Sequence, residues 1–192
     1  MRELTYYVAV SLDGFIAGPG GEFDAFLAEG DHMGPLWERY RGTAPTALAR
    51  AVGLEVEGGP FDTVVMGWNT YAVGLPDHHL ADPYEHLRQI VFTRSHDAPA
   101  GSDGVTFTDA DPVETVRALK QEQGKGIWLC GGGALAAELA DEIDHLALKI
   151  NPVLLGGGVP LFGRRPYAPS AWTREHTRAF ESGVVLAEYA RS

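Results

Sequence analysis

The feature that most restricts this chain is a recurring alternation. Short runs that are apolar on both faces end at glycine or a small polar residue, and helix-like segments follow them. In residues 4–10, Leu4, Tyr6, Val8 and Val10 oppose Tyr7 and Ala9. A strand apolar on both sides must be covered on both sides, which points to a parallel sheet layered between helices. Residues 63–67, 89–93 and 126–130 are further runs of this kind. Asp111-Pro112-Val113-Glu114 reads as a helix start, with Asp111 as cap, Pro112 in the first turn and Glu114 three residues after the cap. Val113, Val116 and Leu119 then form one apolar stripe, and Leu135, Ala136, Leu139 and Ala140 repeat at helical spacing. Leu146, Leu148 and Ile150 alternate with Ala147 and Lys149, so that segment reads as a strand that Pro152 ends. Two runs flanking Glu181-Ser182-Gly183 read as a closing hairpin. The expected architecture is α/β, a mostly parallel central sheet of about eight strands with an antiparallel C-terminal hairpin and helices on both faces. Residues 36–40 and 46–52 read as short helices and residues 18–21 as a loop.

Length and composition narrow the function classes. A chain of 192 residues with 45 % hydrophobic and 21 % charged residues suits one globular domain spanning residues 1–192. Its 24 glycines and 12 prolines follow no Gly-x-y repeat, so they mark turns. Fifteen basic against 26 acidic residues give a net charge of −11, which disfavours nucleic acid and anionic membranes as partners. Cys130 is the single cysteine, so no internal disulfide forms. With no signal-peptide pattern and no apolar run of membrane-spanning length, the expected compartment is cytoplasmic.

Open parallel sheets bind ligands beyond the carboxyl ends of their strands. Three junctions there carry chemistry. Gly131-Gly132-Gly133 lies between a buried run and a helix, where backbone can approach a ligand and free N–H groups attract phosphate, or where the chain simply turns. Gly67-Trp68-Asn69-Thr70 is a similar junction, whose Asn69 and Thr70 can cap a helix or donate to a phosphate. Thr93-Arg94-Ser95 joins one guanidinium to two hydroxyls, a set suited to a phosphate monoester.

The order of these motifs resembles the dihydrofolate reductase-like superfamily. Ser11-Leu12-Asp13-Gly14-Phe15-Ile16-Ala17 and residues 151–162 (Asn-Pro-Val-Leu-Leu-Gly-Gly-Gly-Val-Pro-Leu-Phe) resemble its branch containing the reductase domain of riboflavin biosynthesis. The resemblance covers the chain from Leu4 to Tyr189 and implies an NADPH cofactor. It implies that Ala9, Ile16 and Ala17 hold the nicotinamide through backbone. The pyrophosphate would lie on Gly67, Trp68, Asn69 and Thr70 and on Gly131, Gly132, Gly133, Ala134 and Leu135. Thr93, Arg94 and Ser95 would meet the adenosine 2′-phosphate. Trp68 stands where dihydrofolate reductases often carry a basic residue. The family also implies a cis bond between Gly131 and Gly132.

The implied activity is hydride transfer from NADPH to a small nitrogen heterocycle of pterin or aminopyrimidine type, similar to 5-amino-6-(5-phosphoribosylamino)uracil reduction in riboflavin biosynthesis. The alternatives are a true dihydrofolate reductase and a non-catalytic NADPH-binding protein. Proton delivery to a ring nitrogen calls for a shielded carboxyl group. Asp13 and Glu38 are the catalytic candidates, with Asp24 and Asp31 further acidic residues on the first loop. Asp13 before Gly14 also suits a purely turn-shaping role. Trp37, Tyr40, Trp68 and Tyr71 are candidates to line a flat-ring pocket. Leu75-Pro76-Asp77-His78-His79 replaces the Asp-Asp-Pro stretch by which the riboflavin enzymes hold a ribityl phosphate. No metal site is expected. A homodimer is expected from the resemblance and from an apolar C-terminal hairpin.

Overall fold

A computed structural model describes residues 1–73, 75 and 81–192. The chain forms β1 (Leu4–Val10), β2 (Phe15–Ala17), α1 (Met33–Arg39), α2 (Thr46–Val52), β3 (Phe61–Gly67), α3 (Trp68–Ala72), β4 (Arg88–Phe92) and β5 (Val105–Thr108). There follow α4 (Pro112–Gln121), β6 (Gly126–Gly131), α5 (Gly133–Glu138), β7 (His145–Ile150), β8 (Val159–Pro160), β9 (Trp172–Ala179) and β10 (Val185–Arg191). Eight strands form one sheet in the order β5-β4-β3-β6-β1-β7-β10-β9. The first six are parallel, and β10 and β9 add an antiparallel edge. The α/β architecture read from the sequence is therefore the one observed.

Strand alternation divides the core into two layers. Leu4, Tyr6, Val65, Ile127 and Leu129 point to the face covered by α4 and α5, packing on Val116, Leu119, Leu135 and Leu139. Val64, Met66 and Trp128 point to the other face, where Leu36 and Tyr40 of the α1 region and Tyr71 of α3 cover them. The α4 start behaves as its sequence demands, since the Asp111 carboxylate accepts the Glu114 N–H at 2.9 Å.

Three strands escaped the sequence reading. β5 is only four residues long, and β2 and β8 pair with each other across more than 140 positions as a separate two-stranded ribbon. Periodicity cannot show a pairing so short and so distant. The hairpin also differs from expectation. Its turn closes through Gly183 N–H donating to Phe180 O, but the outer strand β9 is polar and exposed beyond Trp172. The outer face of the hairpin is thus mostly polar, not the apolar surface expected from the sequence.

One buried polar cluster lies between β10 and α1. Glu188 is buried, and its Oε1 accepts from the Tyr40 hydroxyl and from Arg39 Nε, while its Oε2 has no partner. Losing a donor to a buried carboxylate costs about 1–3 kcal/mol. Tyr40→Phe is expected to lower stability by about that amount, read as a lower urea midpoint with an unchanged slope.

Candidate active site

The carboxyl ends of the six parallel strands open on one cleft of about 920 Å³. It begins beyond β5 and β4, crosses β3 and β6, and ends beyond β1 and β7. At the β4 end, Thr93 Oγ1 accepts the His96 N–H at 3.2 Å, which curls the segment carrying Arg94 and Ser95. The Arg94 side chain is 82 % exposed, and its nearest carboxylate, Glu138, lies 4.0 Å away. That guanidinium is available to an anion. The His96 ring stacks on Trp68 at 4.1 Å between centroids, 8° from parallel.

In the middle of the cleft, Gly67 caps α3 with no side-chain hydrogen bond, so Asn69 and Thr70 do not serve as caps. Both face the cleft with Gly67 and Trp68. Opposite them run Gly131, Gly132, Gly133, Ala134 and Leu135. The Gly131–Gly132 peptide is cis, as the resemblance implies. A Cβ on Gly132 would meet only Thr70 Oγ1, at 3.4 Å, so the backbone there borders open space. Gly133 differs, because a Cβ would stand 2.1 Å from Pro160 O. The α5 helix has six residues and so little dipole, and any phosphate affinity rests on its first free N–H groups.

At the β1 end, Ala9 meets Ile16 and Ala17 of β2, and Phe23, Phe26, Leu27, Met33 and Pro45 wall the space beyond. Every one of the fifteen proposed cofactor contacts therefore lines the same cleft.

The catalytic candidates do not. Asp13 is absent from the lining, and its carboxylate accepts from Ser11 Oγ at 2.6 Å, Gly156 N–H at 2.7 Å and Leu155 N–H at 3.1 Å. The Ser11 hydrogen bond leads in pulling its pKa down to about 2. A carboxylate so firmly ionised fastens a loop and is a poor proton donor. Glu38 is exposed on α1, off the cleft, and Asp31 accepts from Glu181 and Ser182 N–H. Of the four aromatics, only Trp68 lines the cleft. Tyr40 stacks on Tyr7, and the Tyr71 hydroxyl donates to Ala81 O. Among the described residues no cluster of metal-ligating side chains occurs, and His78 and His79 lie outside the described residues with most of the replaced Asp-Asp-Pro stretch. No described helix is long and apolar enough to cross a membrane.

Sequence reasoning missed His96, Tyr84 and Lys149, all of which line the cleft. Lys149 carried a signal, being a lysine inside an apolar alternation at the carboxyl end of a strand.

A model of the RibD C-terminal domain matches residues 2–186. The chain belongs to the RibD C-terminal domain family. Among its relatives in Bacillus subtilis, YwjB is 34 % identical, the match covering 84 % of this chain and 83 % of that protein. YyaP is 29 % identical over 98 % of this chain and 94 % of its own. Among solved structures, a putative riboflavin biosynthesis protein from Shewanella sp. PV-4 superposes with a TM-score of 0.72 at 23 % identity, covering 100 % of this chain and 99 % of that one. Enterococcus faecalis dihydrofolate reductase, complexed with NADP(H), gives 0.65 at 18 % identity over 99 % and 96 % of the two chains. At such identities the likeness establishes the fold, here that of dihydrofolate reductase.

The glycines of this RibD C-terminal domain give a paired test. Gly133→Ala forces a backbone clash with Pro160 and is expected to cost about 1–3 kcal/mol, seen as a lower melting temperature. Gly132→Ala is expected to melt close to the parent while filling the cleft floor.

Proposed function

We propose that this RibD C-terminal domain is an NADPH-dependent reductase acting on a small, flat nitrogen heterocycle. The observation that carries this reading is the order of groups along one cleft. An exposed guanidinium with two hydroxyls is followed by two backbone-rich junctions and then by an apolar chamber. With neighbouring strands about 4.8 Å apart, β4 to β1 spans about 14 Å, a run suited to an extended dinucleotide. Membership in a family named for a riboflavin-biosynthesis protein, and a fold shared with dihydrofolate reductase, support a reductase-type activity.

NADPH, when bound, supplies the hydride. The residues then have distinct tasks. Arg94 offers its fork to the 2′-phosphate, with Thr93 and Ser95 as hydroxyl donors. Gly131 and Gly132 let backbone approach the pyrophosphate beside Asn69 and Thr70. Ala9, Ile16 and Ala17 border the nicotinamide position, while Phe23 and Phe26 exclude water from the chamber.

Calorimetric titration with NADPH and NADH tests the assignment. The parent is expected to bind NADPH with micromolar affinity and to prefer it over NADH. Arg94→Ala is expected to weaken NADPH at least about tenfold, about 1.4 kcal/mol, and to leave NADH almost unchanged. Gly132→Ala is expected to weaken both. Equal loss for both cofactors in Arg94→Ala removes the 2′-phosphate assignment, and binding of neither by the parent removes the reductase reading. NADPH binding without oxidation across a heterocycle panel marks a non-catalytic binding protein.

A further inference from the structure

The chamber beyond β1 has an unusual polar complement. Its described side chains able to hydrogen-bond are Thr43, Tyr84, Cys130 and Lys149. Tyr84 and Cys130 approach each other, hydroxyl to sulfur, at 3.9 Å. Burial pushes the Tyr84 pKa well up, and it pushes the Cys130 thiol up to about 12, so both stay protonated at neutral pH. Lysine carries three donors and no acceptor. The described carboxylates that line the cleft, Asp109 and Glu138, belong to the opposite end, beyond β5 and beside Arg94. The chamber thus offers donors and no carboxylate acceptor.

Lys149 is held in place. Its Nζ donates to Leu27 O at 3.1 Å, while Leu27 N–H donates to the buried Asn151 Oδ1 at 3.1 Å. Asn151 Nδ2 in turn donates to Lys149 O at 3.0 Å. One ammonium hydrogen is used and two remain. No described carboxylate pairs with it, and burial pulls its pKa below the usual lysine value. A half-buried ammonium without a counter-charge is costly, and a ligand that supplies the charge removes that cost.

Resting on the reductase reading, we propose that Lys149 is the specificity-determining residue of the chamber and selects a flat ring whose facing edge bears hydrogen-bond acceptors and a negative charge. The Tyr84 and Cys130 hydrogens extend the same preference toward the β6 side, about 10 Å away across two strand spacings. A ring with an acidic arm bridges that distance. An amino-edged ring, whose donors a carboxylate satisfies most strongly, finds no carboxylate here among the described residues.

Two pteridines with one ring system make the test, 2,4-dioxopteridine-6-carboxylate and 2,4-diaminopteridine, titrated by fluorescence with and without NADP⁺. The parent is expected to bind the dioxo acid at least about tenfold tighter. Lys149→Met is expected to lose that factor for the acid, leave the diamino ring within about twofold, and melt within about 4 °C of the parent. Lys149→Arg is expected to keep the preference. Equal or inverted preference in the parent, no binding of the acid, or an undiminished preference in Lys149→Met overturns the proposal. NADPH calorimetry on the same protein separates the two readings. Cofactor binding without the ring preference sinks only the role of Lys149, whereas ring preference without cofactor binding sinks only the reductase.

Discussion

The cleft depends on a contact with no side chain in it. Gly133, the first residue of α5, lies so close to Pro160 that any Cβ would enter the Pro160 carbonyl, and Gly163 N–H donates back to Gly133 O at 2.7 Å. A second close approach sets Gly158 against Ala17 O. Leu161 N–H donates to Gly14 O at 2.8 Å, and the Asp13 carboxylate takes the Leu155 and Gly156 N–H groups. The segment after β7 is thereby laid across both β2 and the start of α5. Without these contacts, the ribbon of β2 and β8 has no reason to form, and Ile16 and Ala17 have no fixed position above Ala9. The resemblance motif around Asp13 is explained by this fastening, not by proton transfer.

The two ends of the cleft treat cations differently. Arg94 stands in solvent with Glu138 only at 4.0 Å, where a guanidinium costs little and a phosphate is drawn by direct Coulomb attraction. Lys149 stands half-buried, where the same charge is expensive unless paired. A chain of net charge −11 places these two cations, about 19 Å apart across four strand spacings, at opposite ends of one cleft. Such a pattern discriminates between ligand segments. On the proposed reading, one end takes a phosphate and the other responds to the shape and acceptors of a ring.

What the sequence disclosed followed the range of the physics involved. Runs such as residues 126–130, apolar on both faces, fix a covered strand by local pattern alone, and Asp111-Pro112 fixes a helix start by local hydrogen bonding. The three junctions after β3, β4 and β6 were legible because the carboxyl ends of parallel strands lie on one edge of the sheet, whereas Ala9, Ile16 and Ala17 followed from the resemblance alone. The proton-donor candidates failed for the opposite reason. Whether Asp13 faces a ligand or two backbone amides is decided by Leu155 and Gly156, more than 140 residues away, and no local pattern shows that. Tyr84 was invisible because only its seat between Trp128 and Cys130 makes it part of the chamber.

The isolation of Lys149 has a consequence for the free protein. On its face of the sheet, register places Tyr7 from β1 and Glu188 from β10. Burial holds the Tyr7 hydroxyl protonated, and Glu188 is engaged by Tyr40 and Arg39. From the covering loop, His32 shares the Leu27 carbonyl at 3.3 Å. Nothing there offsets the desolvation of the ammonium. A lysine with a lowered folded pKa leaves the unfolded chain binding more protons between that value and the ordinary 10.5, so stability rises with pH through the window. Replacing Lys149 by Met removes that rise, and the urea midpoints of parent and variant are expected to draw together, or cross in the parent's favour, as pH is raised toward 10. An anion seated on Lys149 acts in the other direction, restoring the pKa and abolishing the pH dependence. The residue is thus costly to the empty fold, and the proposed anionic ligand would offset that cost.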